Sequence, residues 1–182
     1  MQLYHKTDAI MQLHIILAPD QNIRYTVSMN HGEKAVELFC SGYNCAQSVA
    51  GAFADDELCT EKAALRLMAG FGGGMGGMRE MCGAVSGMIF ALGMDGGNYD
   101  PHDTQAKTKL YTRVREAVAL FKEKYETTNC RELLLKAGCL PKPDPSVRNA
   151  EYYSKRPCAH FVEYAALIAQ RLNDKQKNPE QT

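Results

Sequence analysis

From residue 30 onward, apolar positions recur at helical spacing. Ala35, Leu38 and Phe39 make one stripe, and Ala64, Leu67 and Met68 a second. Leu110, Val114, Val118, Phe121 and Tyr125 mark a long amphipathic helix from Thr104 to about Tyr125. Phe161, Ala165, Leu167 and Ile168 line a last helix, predicted over about 158–172. Polar residues supply the starts. Asn30 with Glu33 reads as a capping box, Asn44 opens a helix over 45–53, and Thr60 caps the next. Another helix is predicted over about 81–92, with a loop over 93–100. Asn129 with Glu132 starts a short sixth helix that ends at Gly138. Pro141, Pro143 and Pro145 mark a loop. No strong strand pattern follows residue 29. The predicted class is all-α: one helical domain of six or seven helices over residues 29–173, followed by a polar tail at 174–182.

Residues 1–28 differ. Two short β-prone runs, 13–17 and 23–27, flank the turn-like Ala18-Pro19-Asp20-Gln21-Asn22. This extension reads as a hairpin or as a non-native addition, since Met11 and Met29 each fit as a start.

Composition narrows the classes. Lys+Arg and Asp+Glu are both 21, so the net charge is zero, which argues against a nucleic-acid surface or a polybasic anchor. The stretch 83–94 is too short to span a membrane and carries three glycines, and residues 1–14 do not form a signal sequence. The expectation is a cytoplasmic protein without membrane insertion. In that compartment seven cysteines read as free, metal-bound or redox-cycling thiols, not a disulfide framework.

Four of those cysteines stand at predicted helix starts. Cys45 and Cys130 each follow an asparagine cap, Cys82 follows a glycine-rich run, and Cys158 follows Pro157. A helix N-terminus offers unpaired N–H groups and about half a positive charge, and both favour thiolate over thiol. Cys45, Cys82, Cys130 and Cys158 are therefore the candidate catalytic residues. The same four are the candidate ligands of an alternative metal centre, an iron–sulfur cluster or zinc. Cys40, Cys59 and Cys139 lie at helix ends or in a loop and read as incidental. No Cys-x-x-Cys occurs, which removes the thioredoxin motif and the zinc knuckle. His160 reads as a partly exposed helix residue, since it lies two positions from Cys158 and points to another face.

Gly72-x-Gly74-x-x-Gly77 matches a dinucleotide fingerprint in form only, because the preceding segment is helical where a strand is required. The glycines predict positive φ or the close approach of a ligand or chain, so Gly72, Gly73, Gly74, Gly83 and Gly87 are candidate binding positions. Gly83 and Gly87 lie four apart on one helical face and predict tight packing onto Ala46 and Ala50, which would bring Cys82 near Cys45. The expected redox pairs are Cys45 with Cys82, and Cys130 with Cys158. A glycine-lined contact could also join two chains, giving a homodimer.

The combination Asn44-Cys45-Ala46-Gln47, Ala69-Gly70-Phe71-Gly72-Gly73-Gly74-Met75-Gly76, Cys82-Gly83-Ala84-Val85-Ser86-Gly87, Asn129-Cys130-Arg131-Glu132-Leu133-Leu134 and Cys158 resembles the C_GCAxxG_C_C family of redox-active proteins, over residues 30–172. The resemblance implies a helical bacterial or archaeal protein with a redox role. Its four family cysteines match Cys45, Cys82, Cys130 and Cys158. It implies no particular substrate or electron partner. Two functions follow as expectations: thiol–disulfide exchange or electron transfer through these cysteines, or metal binding by them.

Overall fold

The structure, a computed structural model, describes residues 29–55 and 57–177. The expected hairpin at 13–27 lies outside them. Helix α1 spans His31–Cys40, α2 Cys45–Ala52, α3 Glu61–Leu67, α4 Gly83–Gly96, α5 Thr104–Tyr125, α6 Cys130–Lys136, α7 Ala150–Lys155 and α8 Cys158–Lys177. A short 3-10 turn covers Ala69–Phe71. Among the described residues there is no strand, and the all-α class holds.

Local chemistry accounts for the boundaries. Asn44 caps α2: its side chain accepts from the amides of Ala46 (2.9 Å) and Gln47 (3.0 Å), and Gln47 Oε1 accepts from the Asn44 amide (3.0 Å). Asn129 does the same for α6, accepting from Arg131 and Glu132. Thr60 accepts from the Ala63 amide at the start of α3. Asp103 caps α5 through the amides of Gln105 and Ala106.

α4 is the central helix. Residues 83–88 are all buried, so no face of its first turns is left for water. It packs against α2, α8 and α5, while α1 lies on α2 and α8. Phe39, Val49, Val85, Met88, Leu92, Phe121, Leu134 and Val162 are fully buried at these contacts. The expected packing of Gly83 and Gly87 on α2 is present. A methyl group at Gly87 would stand 2.7 Å from Val49 Cβ and 2.8 Å from the Ala46 carbonyl oxygen. The two helix axes are closer than any side chain at Gly87 would allow.

Three elements depart from the sequence reading. α4 begins at Gly83, with Cys82 as its N-cap, and runs on through Gly93 to Gly96 where a loop was expected. α8 continues past Leu172 to Lys177. There Asn173 is buried and its side chain accepts from Arg113 Nη2 at 2.7 Å, and Arg113 also pairs with Asp95 at 2.8 Å. α7 was not foreseen. It is held by aromatic contact: the Tyr153 ring meets Phe39 edge-on at 5.7 Å, and its hydroxyl donates to the carbonyls of Phe39 and Cys40. No helix among the described residues is long and apolar enough to cross a membrane.

Candidate functional site

Cys45, Cys82, Cys130 and Cys158 line one cavity of about 110 Å³. They come from four helices that are far apart in sequence, so the fold itself does the gathering. The glycine-rich segment supplies part of the wall and holds two of the cysteines side by side. Its backbone is stitched to the start of α6: the Cys82 amide donates to the Thr128 carbonyl (2.7 Å) and the Cys130 amide to the Glu80 carbonyl (2.6 Å). An isolated bridge joins Met81 to Asn129. At Gly74 φ is +67°, and a Cβ would stand 2.6 Å from Cys130 Cβ and 2.9 Å from Arg79 Cα. Only glycine meets both conditions.

The binding glycines divide. Gly73, Gly74 and Gly83 face the cavity. Gly72 and Gly87 do not: the Asn44 side chain fills the space beside Gly72, and α2 fills it beside Gly87. Those two meet packing neighbours where the sequence reading expected ligand contacts. Cys40 is exposed at the end of α1, Cys59 and Cys139 stand outside the cavity wall, and His160 is exposed.

The thiols are not equivalent. Cys45 and Cys158 line the same cavity, and their mutual interaction, with Cys45 keeping its proton, is the largest influence holding the Cys158 thiol down at about 7. Burial opposes it, and the guanidinium groups of Arg156, Arg148 and Arg79 reinforce it. The Cys45 thiol is pushed well up, first by its interaction with Cys158 and then by burial. Burial raises Cys82 to about 12, with the nearby Cys158 adding to the effect. Burial also raises Cys130, against the opposing Arg79, whose Nη1 donates to Cys130 Sγ at 4.0 Å.

One thiol of the four is therefore acidic, where helix starts alone predict four. The reason lies in the caps. The asparagines that mark the starts of α2 and α6 occupy the free amides of those first turns, leaving little for Cys45 and Cys130. At α4 the amides of Ala84 and Val85 favour a Cys82 thiolate, but no cap hydrogen bond of ordinary geometry forms and burial prevails. Pro157, before Cys158, has no side-chain acceptor. The thiols that act most strongly on each other are Cys45 and Cys158, where the glycine faces suggested Cys45 with Cys82.

Three arginines that the motifs did not single out complete the wall. Arg79 is only 7% exposed and holds φ +64°, a strained conformation for a side-chain-bearing residue. Backbone bonds on both sides fix it: its amide donates to the Gly73 carbonyl, and its carbonyl accepts from the Arg131 amide. Its guanidinium donates to the Lys142 carbonyl and so ties down the proline-rich loop. Arg148 and Arg156 flank α7 and lie over the Tyr152 ring at 4.6 and 5.1 Å. The sequence signal for Arg156 was its place two residues before Cys158. Arg148 had none.

As for metal, no group of three or more Cys, His, Asp or Glu side chains among the described residues is arranged to hold an ion. As they stand, the four cavity thiols do not form the ligand arrangement that the iron–sulfur or zinc alternative needs.

Replacing Cys45 with alanine removes the donor to Cys158. The Cys158 pKa is expected to rise by about one unit or more, since a hydrogen bond to a charged group contributes roughly 1.5–3 kcal/mol. Cys45→Ser keeps a donor and should restore most of the shift. The pH dependence of alkylation at Cys158 in each variant, read by mass spectrometry, checks this.

Residues 43–172 match a family model described as "Putative redox-active protein (C_GCAxxG_C_C)". The match takes in all four cavity cysteines. No curated protein and no solved structure is significantly similar to the chain.

Proposed function

We propose, for a chain that belongs to the C_GCAxxG_C_C family, a dithiol–disulfide redox cycle between Cys158 and Cys45. The observation that carries this reading is that Cys45 and Cys158 line one cavity, where Cys45 keeps its proton and holds Cys158 acidic. The Cys158 thiolate attacks an electrophilic sulfur and displaces its leaving group, forming a covalent adduct. Cys45 then attacks Cys158 Sγ, expels the bound group and closes the intrachain disulfide. The proton of Cys45 passes to the departing group. An external dithiol returns both cysteines to the reduced state.

Cys158 suits the first role because its pKa near 7 keeps about half of it ionised at neutral pH without making it a poor nucleophile. Cys45 suits the second because it stays protonated until Cys158 is consumed. Cys82 and Cys130, held up by burial, form a second and less reactive pair. They stand beside each other across the Met81–Asn129 bridge and could relay electrons to the first.

The test is oxidation of the reduced chain with one equivalent of diamide, followed by peptide mapping under acid. A Cys45–Cys158 disulfide is the expected first product. A first product joining Cys82 to Cys130, or a disulfide to Cys40, Cys59 or Cys139, would contradict the assignment.

A further inference from the structure

We propose that the cavity recognises a small sulfur oxyanion, a sulfonate carrying a sulfane sulfur, as the oxidising substrate of Cys158. This inference rests on the redox reading above and names the substrate class it lacks.

Charge is the first argument. Arg79, Arg148 and Arg156 all line the cavity, and no carboxylate does. Among the described residues none of the three forms an ion pair. A single Cys158 thiolate offsets one of three positive charges, and the remainder is left facing about 110 Å³ of space. Arg148 and Arg156 share one aromatic ring, which keeps two like charges close together. Buried charges are kept where a counter-charge repays their desolvation.

Unmet hydrogen bonding is the second. Buried polar groups are nearly always partnered, yet the buried Nη1 of Arg148 has no hydrogen-bond partner. Arg156 Nη2 donates to Ser146 Oγ over a long 3.4 Å. A guanidinium fork binds oxyanions bidentately.

Size and reactivity narrow the class. The cavity of about 110 Å³ admits an ion of sulfate or thiosulfate dimensions. A thiolate attacking an anion is repelled unless cations surround both, and these three arginines supply that condition. They also stabilise the charge that gathers on the departing sulfonate sulfur.

With thiosulfate the step balances. Cys158 Sγ attacks the sulfane sulfur, the S–S bond of thiosulfate breaks, and its electron pair leaves on sulfite. Cys158 now carries a persulfide. Cys45 attacks Cys158 Sγ, and hydrosulfide departs with the Cys45 proton. Two electrons from the two cysteines have reduced the sulfane sulfur to sulfide, and an external dithiol restores the pair.

The experiment mixes the reduced full chain with thiosulfate under anaerobic conditions and follows sulfite. One equivalent of sulfite per chain is expected, together with the Cys45–Cys158 disulfide. Sulfate, but not chloride at equal ionic strength, should compete. Cys45→Ser should release sulfite and accumulate cyanide-labile sulfur on Cys158. Arg148→Gln should raise the half-saturating thiosulfate concentration about tenfold or more, the loss of one charge-assisted hydrogen bond. Arg156→Gln is the second variant if the first does not fold. No sulfite from a chain that diamide does oxidise to the Cys45–Cys158 disulfide would overturn the substrate class and leave the redox reading standing. No sulfite and no such disulfide would overturn both. Unchanged thiosulfate saturation in folded arginine variants would overturn the role of the guanidinium groups.

Discussion

Cys158→Ser is expected to abolish disulfide formation at Cys45 and to remove the fast-reacting thiol of the cavity. At pH 7 a thiol with a pKa of about 7 is half ionised, whereas one at the ordinary value of 9.0 is about one per cent ionised. The difference in thiolate population alone is roughly fiftyfold. The remaining cavity thiols lie above the ordinary value, so the residual reactivity falls at least that far. Cys45→Ser should behave differently: it blocks closure of the disulfide but leaves Cys158 reactive, because serine still donates to the thiolate. Stopped-flow alkylation with a neutral iodoacetamide probe separates the two. Equal losses in both variants would mean that the two cysteines do not divide the roles as assigned.

Gly87→Ala and Gly93→Ala should shift stability in opposite directions, although both lie in the same helix. Alanine is the better helix former by about 1 kcal/mol at either position. At Gly93 nothing lies within 4 Å of the added carbon, so this advantage is expressed and the variant is expected to be stabilised by up to about 1 kcal/mol. At Gly87 the methyl meets Val49 Cβ at 2.7 Å, with the Ala46 oxygen and the Ala50 amide nitrogen close behind. Two of these are backbone atoms that cannot turn aside, so α2 and α4 must separate. Overpacking of this kind costs about 1–3 kcal/mol and outweighs the propensity gain. For a chain of this length the melting temperature should fall by roughly 2–10 °C for Gly87→Ala and rise by a few degrees for Gly93→Ala. Separation of α2 from α4 also carries Cys45 away from the cavity, so Gly87→Ala should slow disulfide closure as well. Thermal unfolding of the reduced proteins is the check.

The pattern of small and apolar residues made much of this architecture readable. Asparagine caps located the starts of α2 and α6, and the Gly83/Gly87 face indicated which helix α4 would meet. The four cavity cysteines were legible from their places at helix starts: Cys45 and Cys130 after an asparagine cap, Cys82 after the glycine-rich run and Cys158 after Pro157. Their inequality was not. It depends on burial and on an interaction between two thiols more than a hundred positions apart, and no local pattern carries that. The cap argument also contained its own limit, since Asn44 and Asn129 take the amides that would otherwise have acidified their neighbours.

Other differences have equally particular causes. α7 is six residues long and has no apolar period of its own; its two tyrosines and the stacked Arg148 hold it on Phe39. Gly93 reads as a helix stop, yet α4 continues because Leu92 before it is fully buried and Asp95 after it pairs with Arg113. The same arginine explains the length of α8, which runs to Lys177 where a polar tail was expected to begin at residue 174. Arg79 hid inside the glycine-rich run, where the glycines drew the reading toward backbone shape and away from charge.

The pH dependence of alkylation at each cysteine, resolved by peptide mass spectrometry on the reduced chain, tests the central claim most directly. Ionisation turns thiol into the reactive thiolate, so each rate rises as pH passes upward through that thiol's pKa. The account predicts a midpoint near 7 at Cys158, with Cys45, Cys82 and Cys130 still protected at pH 9. A common midpoint of 8.5–9 at all four, or a Cys158 that stays inert until the others react, would contradict it.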